Sequence, residues 1–533
     1  MRLFGALYVG CAALIVAVWY ALGLPATMPE TPLTPGEKLY CLSYAPFRGA
    51  QSPLDLATQI TPAQIEDDLV RLSRITSCVR SYSVDFGLER IAEIASRHGL
   101  KVLQGLWLSS TPKKNEYQIE TAIALANRYR DTISAVVVGN EVLLRGEMSP
   151  ADLAATVRAV KARVPVPVTY ADVWEFWLRN RALANEVDFI TIHILPYWED
   201  LPIPARDAAA HVDSIRKIVA DAFPGKEIRI GEVGWPSAGR MREGALPSPA
   251  NQARVIQDVL ARAAAGNYRV NVIEAFDQPW KRALEGTVGG HWGLFDDVMR
   301  RFKFEWGAPV SNHGFWKWQA AGGAVFAALV FGAVWSRRRS ELSARTAIAT
   351  ALCAFAGGAT IGWAVENAPV ESVDAGGWAR NIALLGVALA SPIVAALGIQ
   401  AQAHMPRFSL ILGPQQQRTR DPLLVALGFC VMATTVLSIM IVLGLVFDPR
   451  YRDFPFAPLT AAIVPLALVS FWQPAPKGRY GTAEIVACTL LAPSAVFILV
   501  NETLANWQSL WLCGVLVLLV VILARIRGAP SSA

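Results

Sequence analysis

Two glutamates stand behind glycines at the ends of apolar, strand-like runs: ISAVVVGNE ends on Glu141, and EIRIGEVGW carries Glu232. Two carboxyl groups brought face to face can work on a glycosidic bond. One holds a proton for the leaving oxygen, and the other stays ionised to attack the anomeric carbon. Asn140, directly before Glu141, offers an amide to a sugar 2-hydroxyl. Either glutamate alone reads equally well as a salt-bridge partner at a strand end, so the chemistry depends on whether the fold pairs them. The sequence holds no CxxC, no His/Cys cluster, no GxGxxG and no GxxxxGK, so neither a metal nor an organic cofactor is implied.

The elements that must position this pair lie in residues 38–310. Strand-like runs occur at 38–46, 77–83, 101–109, 133–141, 165–171, 187–195, 227–235 and 269–277, with amphipathic helical patterns between them. In TPAQIEDDLVRLSRI, Thr61 is placed to cap and Pro62 to take the first turn, and Ser149 with Pro150 repeats the device. Eight strands alternating with helices predict a (β/α)₈ TIM barrel. A doubly wound open sheet is the rival, and it generally carries a Gly-rich phosphate loop. In a barrel the chemistry sits at the C-terminal strand ends, where Tyr44, Arg80, Tyr82, Trp107, Asn140, Glu141, Tyr170, His193, Tyr197, Glu232, Trp235 and Asp277 fall. Strands four and seven face each other across such a ring, so Glu141 and Glu232 are expected to meet over its mouth.

The rest of the chain is apolar. Hydrophobic residues make up 53% of the sequence and charged ones 17%, which is too greasy for one water-soluble protein. Residues 3–23 read as a retained membrane anchor, and seven more spans are predicted at 315–335, 346–365, 379–402, 422–447, 456–472, 482–500 and 505–524. The fifth of these seven is short and proline-bearing. With Arg2 on the cytoplasmic side, the returning loops SRRRSELSAR, HMPRFSLILGPQQQRTRD and QPAPKGRY and the tail RIRGAPSSA are all basic, as the positive-inside rule requires. The all-α transmembrane domain is thus drawn as an anchor at 1–24 and seven spans within 315–526, with both termini cytoplasmic and residues 38–310 outside. The net charge of +6 is spread over short loops and does not suggest nucleic acid as a partner. Cys41 and Cys78 fall in neighbouring strands, and their disulfide is left open.

The runs YCLSYAPFRG, VRSYSVD, VVVGNEVLLRGE, VTYADVWEFW, TIHILPYW, GEVGWPSAG and EAFDQPWK, with HWGLF, resemble glycoside hydrolase family 17 in order and spacing. That family contains β-1,3-glucanases and β-glucan glucanosyltransferases. The resemblance implies Glu141 as general acid/base and Glu232 as nucleophile. It implies Tyr44, Tyr170 and Tyr197 at subsites or supporting the nucleophile, and Lys281 against the substrate. Arg80, Asn140, His193, Trp174, Trp177, Trp198, Trp235, Gln278 and Trp280 complete the candidate substrate-binding set, their aromatic faces suited to stacking on glucose rings. Two departures stand out. Gln278 replaces an acidic residue expected in DEPWK, and the acidic residue expected shortly before HWGLF is missing.

Some membrane-bound bacterial members of the family are associated with β-1,3/β-1,6-glucan synthesis, and the architecture looks like theirs. The expected activity is therefore a retaining β-glucan glucanosyltransferase in the inner membrane, with its catalytic domain periplasmic. Its partners would be a β-glucan donor and acceptor, the lipid bilayer and glucan synthesis or export proteins. An endo-β-1,3-glucanase and a non-catalytic glucan-binding export component are the alternatives.

Overall fold

The computed structural model describes residues 2–338, 342–474 and 478–528. Parts of the basic loops around 339–341 and 475–477, and the tail at 529–533, lie outside the described residues. The chain divides into two compact units. One contains Ala26–Ala238 and Gly244–Val310, and the other Met1–Pro25, Gly239–Glu243 and Ser311–Ala533.

The first unit is a closed barrel of eight parallel strands in sequential order. They are β1 (Cys41–Ser43), β2 (Cys78–Arg80), β3 (Lys101–Leu106), β4 (Ile133–Asn140), β5 (Val168–Val173), β6 (Ile190–His193), β7 (Ile228–Val233) and β8 (Val270–Val272). Each falls inside the run that the sequence marks, except β5, which runs on to Val173, two residues past the expected 165–171. The strands are buried on nearly every residue, because helices cover their outer faces and side chains fill the interior. The helices start where the sequence says. Thr61 Oγ1 accepts from Gln64 N ahead of helix Pro62–Leu72, and Ser149 Oγ accepts from Asp152 N ahead of helix Pro150–Lys161, with proline in the first turn of each. β1 and β2 are joined covalently by a disulfide between Cys41 and Cys78, which closes 37 residues of separation.

Strand register sets the barrel mouth. β6 ends with His193 paired to Glu232 of β7, and β4 ends with Asn140 paired to Ala171 of β5. Two glycines make this possible. Gly139 has φ +88°, a conformation that L residues seldom adopt. A Cβ on Gly231 would stand 2.4 Å from Thr191 Cγ2 and 3.3 Å from His193 Nε2, so only glycine lets β7 lie this close to the imidazole.

The second unit is helical. Among the described residues, seven helices are long and apolar enough to cross a membrane: Arg2–Gly23, Trp316–Ser336, Ala344–Glu371, Ala375–Gln400, Pro422–Phe447, Thr482–Glu502 and Trp507–Arg525. Phe456–Trp472, the short proline-bearing span of the sequence reading, is a helix of 17 residues, buried around most of its circumference. An apolar helix buried all round belongs to the middle of a bundle. Asp374, Asp421 and Asn506 cap the helices that follow them, each accepting from backbone N–H groups of the first turn.

Candidate active site

Glu141 and Glu232 converge. One carboxylate oxygen of each, with a ring nitrogen of His193, lie within 4.8 Å of one another. Glu141 follows β4 directly with φ +52°, its N–H donating to the Ala171 carbonyl at 2.8 Å, and its side chain is 22% exposed. Glu232 sits inside β7 with its side chain 6% exposed. The two carboxyls thus differ: one opens to the mouth, and the other is sunk into the barrel.

Glu232 is held by a dense set of donors. Arg80 Nη1 donates to Glu232 Oε1 at 3.0 Å and to the Gly231 carbonyl at 2.8 Å, while its Nη2 donates to Asn140 Oδ1. The Tyr82 hydroxyl donates to Glu232 Oε1 at 2.8 Å, and the Arg80 guanidinium lies 4.6 Å over the Tyr82 ring. Burial alone would push the Glu232 carboxyl up. His193, Arg80 and Lys281 beside it, with the Tyr82 hydroxyl, more than offset this and hold it below the ordinary value. A buried carboxylate kept ionised is what a nucleophile needs.

A second carboxylate layer surrounds the pair. Glu274, just past β8, is 1% exposed and accepts from Lys281 Nζ at 3.0 Å. Burial pushes Glu274 up to about 7, against the pull of Lys281. Lys281 stays above its ordinary value despite burial, because Glu274, Glu285 and Glu232 all face it. Glu285, in the short helix Arg282–Glu285, is raised by burial, offset by Lys281 and reinforced by Glu141 and Glu232. It lies ahead of HWGLF, and a Cβ on Gly289 would stand 3.0 Å from Glu285 Oε2. The bare glycine leaves room for a carboxylate delivered from four positions earlier. On the other flank, burial pushes Asp172 up to about 6, although the Tyr170 hydroxyl and Val173 N both donate to it.

The remaining candidates divide by position. Arg80, Asn140, His193 and Lys281 join the pair directly or through one contact. Tyr170 is 1% exposed, with its hydroxyl between Asp172 and Leu143 N. Trp174, Trp198 and Trp280 are half-buried, with Trp174 Nε1 directed at Glu199 Oε1 and Trp280 Nε1 at Gln278 Oε1. The others are buried, with partners of their own. The Tyr44 hydroxyl donates to Asp68 at 3.0 Å, Trp177 Nε1 to the Thr191 carbonyl and Trp235 Nε1 to the Leu246 carbonyl. Gln278 is fully buried and donates to the Ala45 and Phe276 carbonyls. Tyr197 is buried among Trp198, Trp235 and Trp292. Tyr82, Glu274 and Glu285 are the members that the candidate set lacks. Tyr82 stood among the strand-end residues, whereas nothing local marked the other two.

Glu141, His193 and Glu232 also offer the donor types of a metal site. The Arg80 guanidinium, 3.0 Å from Glu232 Oε1 and 3.4 Å from His193 Nε2, already supplies the cation between two of them.

Comparison with known proteins covers the barrel. Residues 41–293 match the family model described as the BtgE/BtgC glycoside hydrolase domain. Among curated relatives, the probable beta-glucosidase btgE of Aspergillus fumigatus is 28% identical over 225 residues, 41% of this chain and 39% of the relative. The glucan 1,3-beta-glucosidase of Arthroderma benhamiae is 25% identical over 267 residues, 47% of this chain and 86% of the relative. The chain thus spans about two fifths of the length of the btgE relative from A. fumigatus. Among solved structures, the glycoside hydrolase family 17 β-1,3-glucanosyltransferase of Rhizomucor miehei is 26% identical, with a TM-score of 0.43, covering 49% of this chain and 93% of that one.

Proposed function

We propose, from the premise that residues 41–293 are a glycoside hydrolase domain of the BtgE/BtgC kind, that the chain is a membrane-anchored, retaining β-glucan glucanosyltransferase. The observation that carries this reading is the approach of Glu141 and Glu232 to within 4.8 Å at the ends of β4 and β7. Retaining glycosidases hold their carboxyls about 5–5.5 Å apart, whereas inverting ones leave about 6.5–9.5 Å for a water. Glu232, buried and kept ionised, attacks the anomeric carbon. Glu141, open to the mouth, gives its proton to the departing glycosidic oxygen as that bond breaks. A covalent glycosyl ester on Glu232 results. The Glu141 carboxylate then takes the proton of an incoming hydroxyl, whose oxygen displaces Glu232 from the sugar.

Whether water or a sugar supplies that hydroxyl separates transferase from hydrolase. The half-buried Trp174, Trp198 and Trp280 favour a bound sugar acceptor, because aromatic faces stack on glucose and exclude water. The relatives are named for β-glucosidase and glucan 1,3-β-glucosidase activity, which supports a β-glucan donor. Transfer to a 6-hydroxyl, giving β-1,6 links, is the finer expectation. Incubating the purified full chain with laminari-oligosaccharides tests these points. Longer or branched products are expected, and linkage analysis reads the bond made. Shorter products alone overturn the transferase and leave an endo-glucanase. Unchanged oligosaccharides leave the non-catalytic export component.

The same reading places the barrel outside the cytoplasm of a bacterial cell, in the inner membrane. The Cys41–Cys78 disulfide supports this, since such bonds persist in oxidising compartments. So does the basic character of the loops expected inside.

A further inference from the structure

His193 lies between the two glutamates. It ends β6 with its side chain fully buried, paired in register with Glu232. Its two ring nitrogens face different groups. Nε2 lies 3.4 Å from Arg80 Nη1 and 3.6 Å from Glu232 Oε1, while Nδ1 lies 2.8 Å from Glu141 Oε1. A guanidinium only donates. Arg80 Nη1, which shares its two hydrogens among the Gly231 carbonyl, Glu232 Oε1 and Nε2, meets a bare lone pair on Nε2 best, and this puts the single proton of a neutral ring on Nδ1. From there it is donated to Glu141 Oε1. An oxygen that accepts an N–H is a poor place for a carboxyl proton, so the proton of Glu141 belongs on its other oxygen.

We propose that His193 is the positioning residue of the acid/base, its Nδ1–H directing the Glu141 proton onto Oε2 and then stabilising the carboxylate that remains. This rests on the two-glutamate reading above. The bond persists through both half-reactions. Before transfer it leaves Oε2 as the oxygen that meets the leaving group. After transfer it holds the ionised Glu141 as it waits for the acceptor hydroxyl. No electron pair moves on the imidazole, and its proton stays on Nδ1. The charged and titratable groups facing the ring are Arg80 from β2, Glu141 after β4, Asp172 from β5 and Glu232 from β7. Gly231 exists for this contact as well, because any side chain there would run into the ring.

The test compares His193→Leu, which has no donor, with His193→Asn, whose amide can donate from a similar position. Two donors are used with the full chain: a laminari-oligosaccharide, and an aryl β-laminaribioside whose 2,4-dinitrophenol leaves without acid help. Removing a donor that favours the carboxylate is expected to move the alkaline limb of kcat/KM up. For the Leu variant we expect a loss of roughly 50-fold or more on the oligosaccharide, but only about 3-fold in the first release of dinitrophenol, with the limb displaced by about one pH unit. The Asn variant should restore both the limb and most of the rate. Equal losses on both donors, an unmoved limb, or an Asn variant no better than Leu overturns the proposal. A measurement on the unaltered protein guards against a misfolded variant. Nitrogen NMR of the imidazoles should show His193 protonated at Nδ1 and bare at Nε2, and the opposite tautomer overturns the proposal. Glu232→Gln is the control for the underlying reading: if it keeps full turnover, the two-glutamate mechanism fails whatever His193 does.

Discussion

Tyr82 shows how much a single hydroxyl can contribute here. It donates to Glu232 Oε1 at 2.8 Å inside a buried site, where a hydrogen bond to a charged group is worth about 1.5–3 kcal/mol. Tyr82→Phe should lower kcat by roughly 10–100-fold with little change in fold. A variant within about 2-fold of the parent in steady-state rate would mean that Arg80 alone secures the nucleophile. Glu274 gives a pH prediction of definite sign. Its carboxyl is pushed up to about 7, above the ordinary value of about 4.3, so between these pH values the folded chain keeps a proton that the unfolded chain has released. The stability this contributes is complete below the unfolded value and is lost as pH rises through 7. Glu274→Gln removes the titration, so its Tm should fall less between pH 5 and 8 than that of the parent; an equal fall would rule Glu274 out as the source. Glu232 has the opposite sign. Its lowered pKa contributes stability above the unfolded value, lost as pH falls through the folded one.

The strands and their glycines are the elements that bring these side chains together. Gly231→Ala would put a Cβ 2.4 Å from Thr191 and against the His193 ring, and β6 and β7 cannot part without disturbing their shared register. A loss of about 1–3 kcal/mol in denaturant unfolding is expected, accompanied by a steeper loss of turnover. A variant that binds glucan and turns over normally would show that the barrel mouth has slack. The Cys41–Cys78 bond ties β1 to β2 across 37 residues, and removing such a bond costs about 2–4 kcal/mol. Paired Cys→Ser substitutions should lower the Tm, and reducing agent should lower the Tm of the parent but not of the variant. The strands themselves were legible in the sequence, because a buried parallel strand must be a short apolar run whatever its neighbours. Glu285 was not. Its helix has four residues, and what makes it part of the site is its approach to Glu141 and Glu232, which lie far away along the chain.

At the scale of the whole molecule, one unit is a soluble-type barrel and the other a set of long apolar helices. The proposed topology can be tested by labelling. Val373 and Gln416 are both exposed, in connections that the positive-inside pattern puts on opposite sides. With an impermeant maleimide on intact cells, Val373→Cys should react and Gln416→Cys should react only after permeabilisation; the reverse pattern inverts the topology. The native free cysteines Cys11, Cys353, Cys430 and Cys513 are buried, and the half-buried Cys488 is changed to Ser in both variants to remove its background.

By itself, the sequence determined the eight-strand alternation, the glutamates at the ends of the fourth and seventh strands, and the apolar helices. Each of these is written in local periodicity, and burial on one face demands it of any chain that folds this way. Only the tertiary structure decided which polar groups meet at the mouth. Tyr82 rather than Tyr170 reaches the nucleophile, Tyr44 turns to Asp68, and His193 lies between two carboxyls and a guanidinium. A polar side chain at a strand end has no periodic mark of its direction. The register of the neighbouring strand and the space left by a glycine decide where it points.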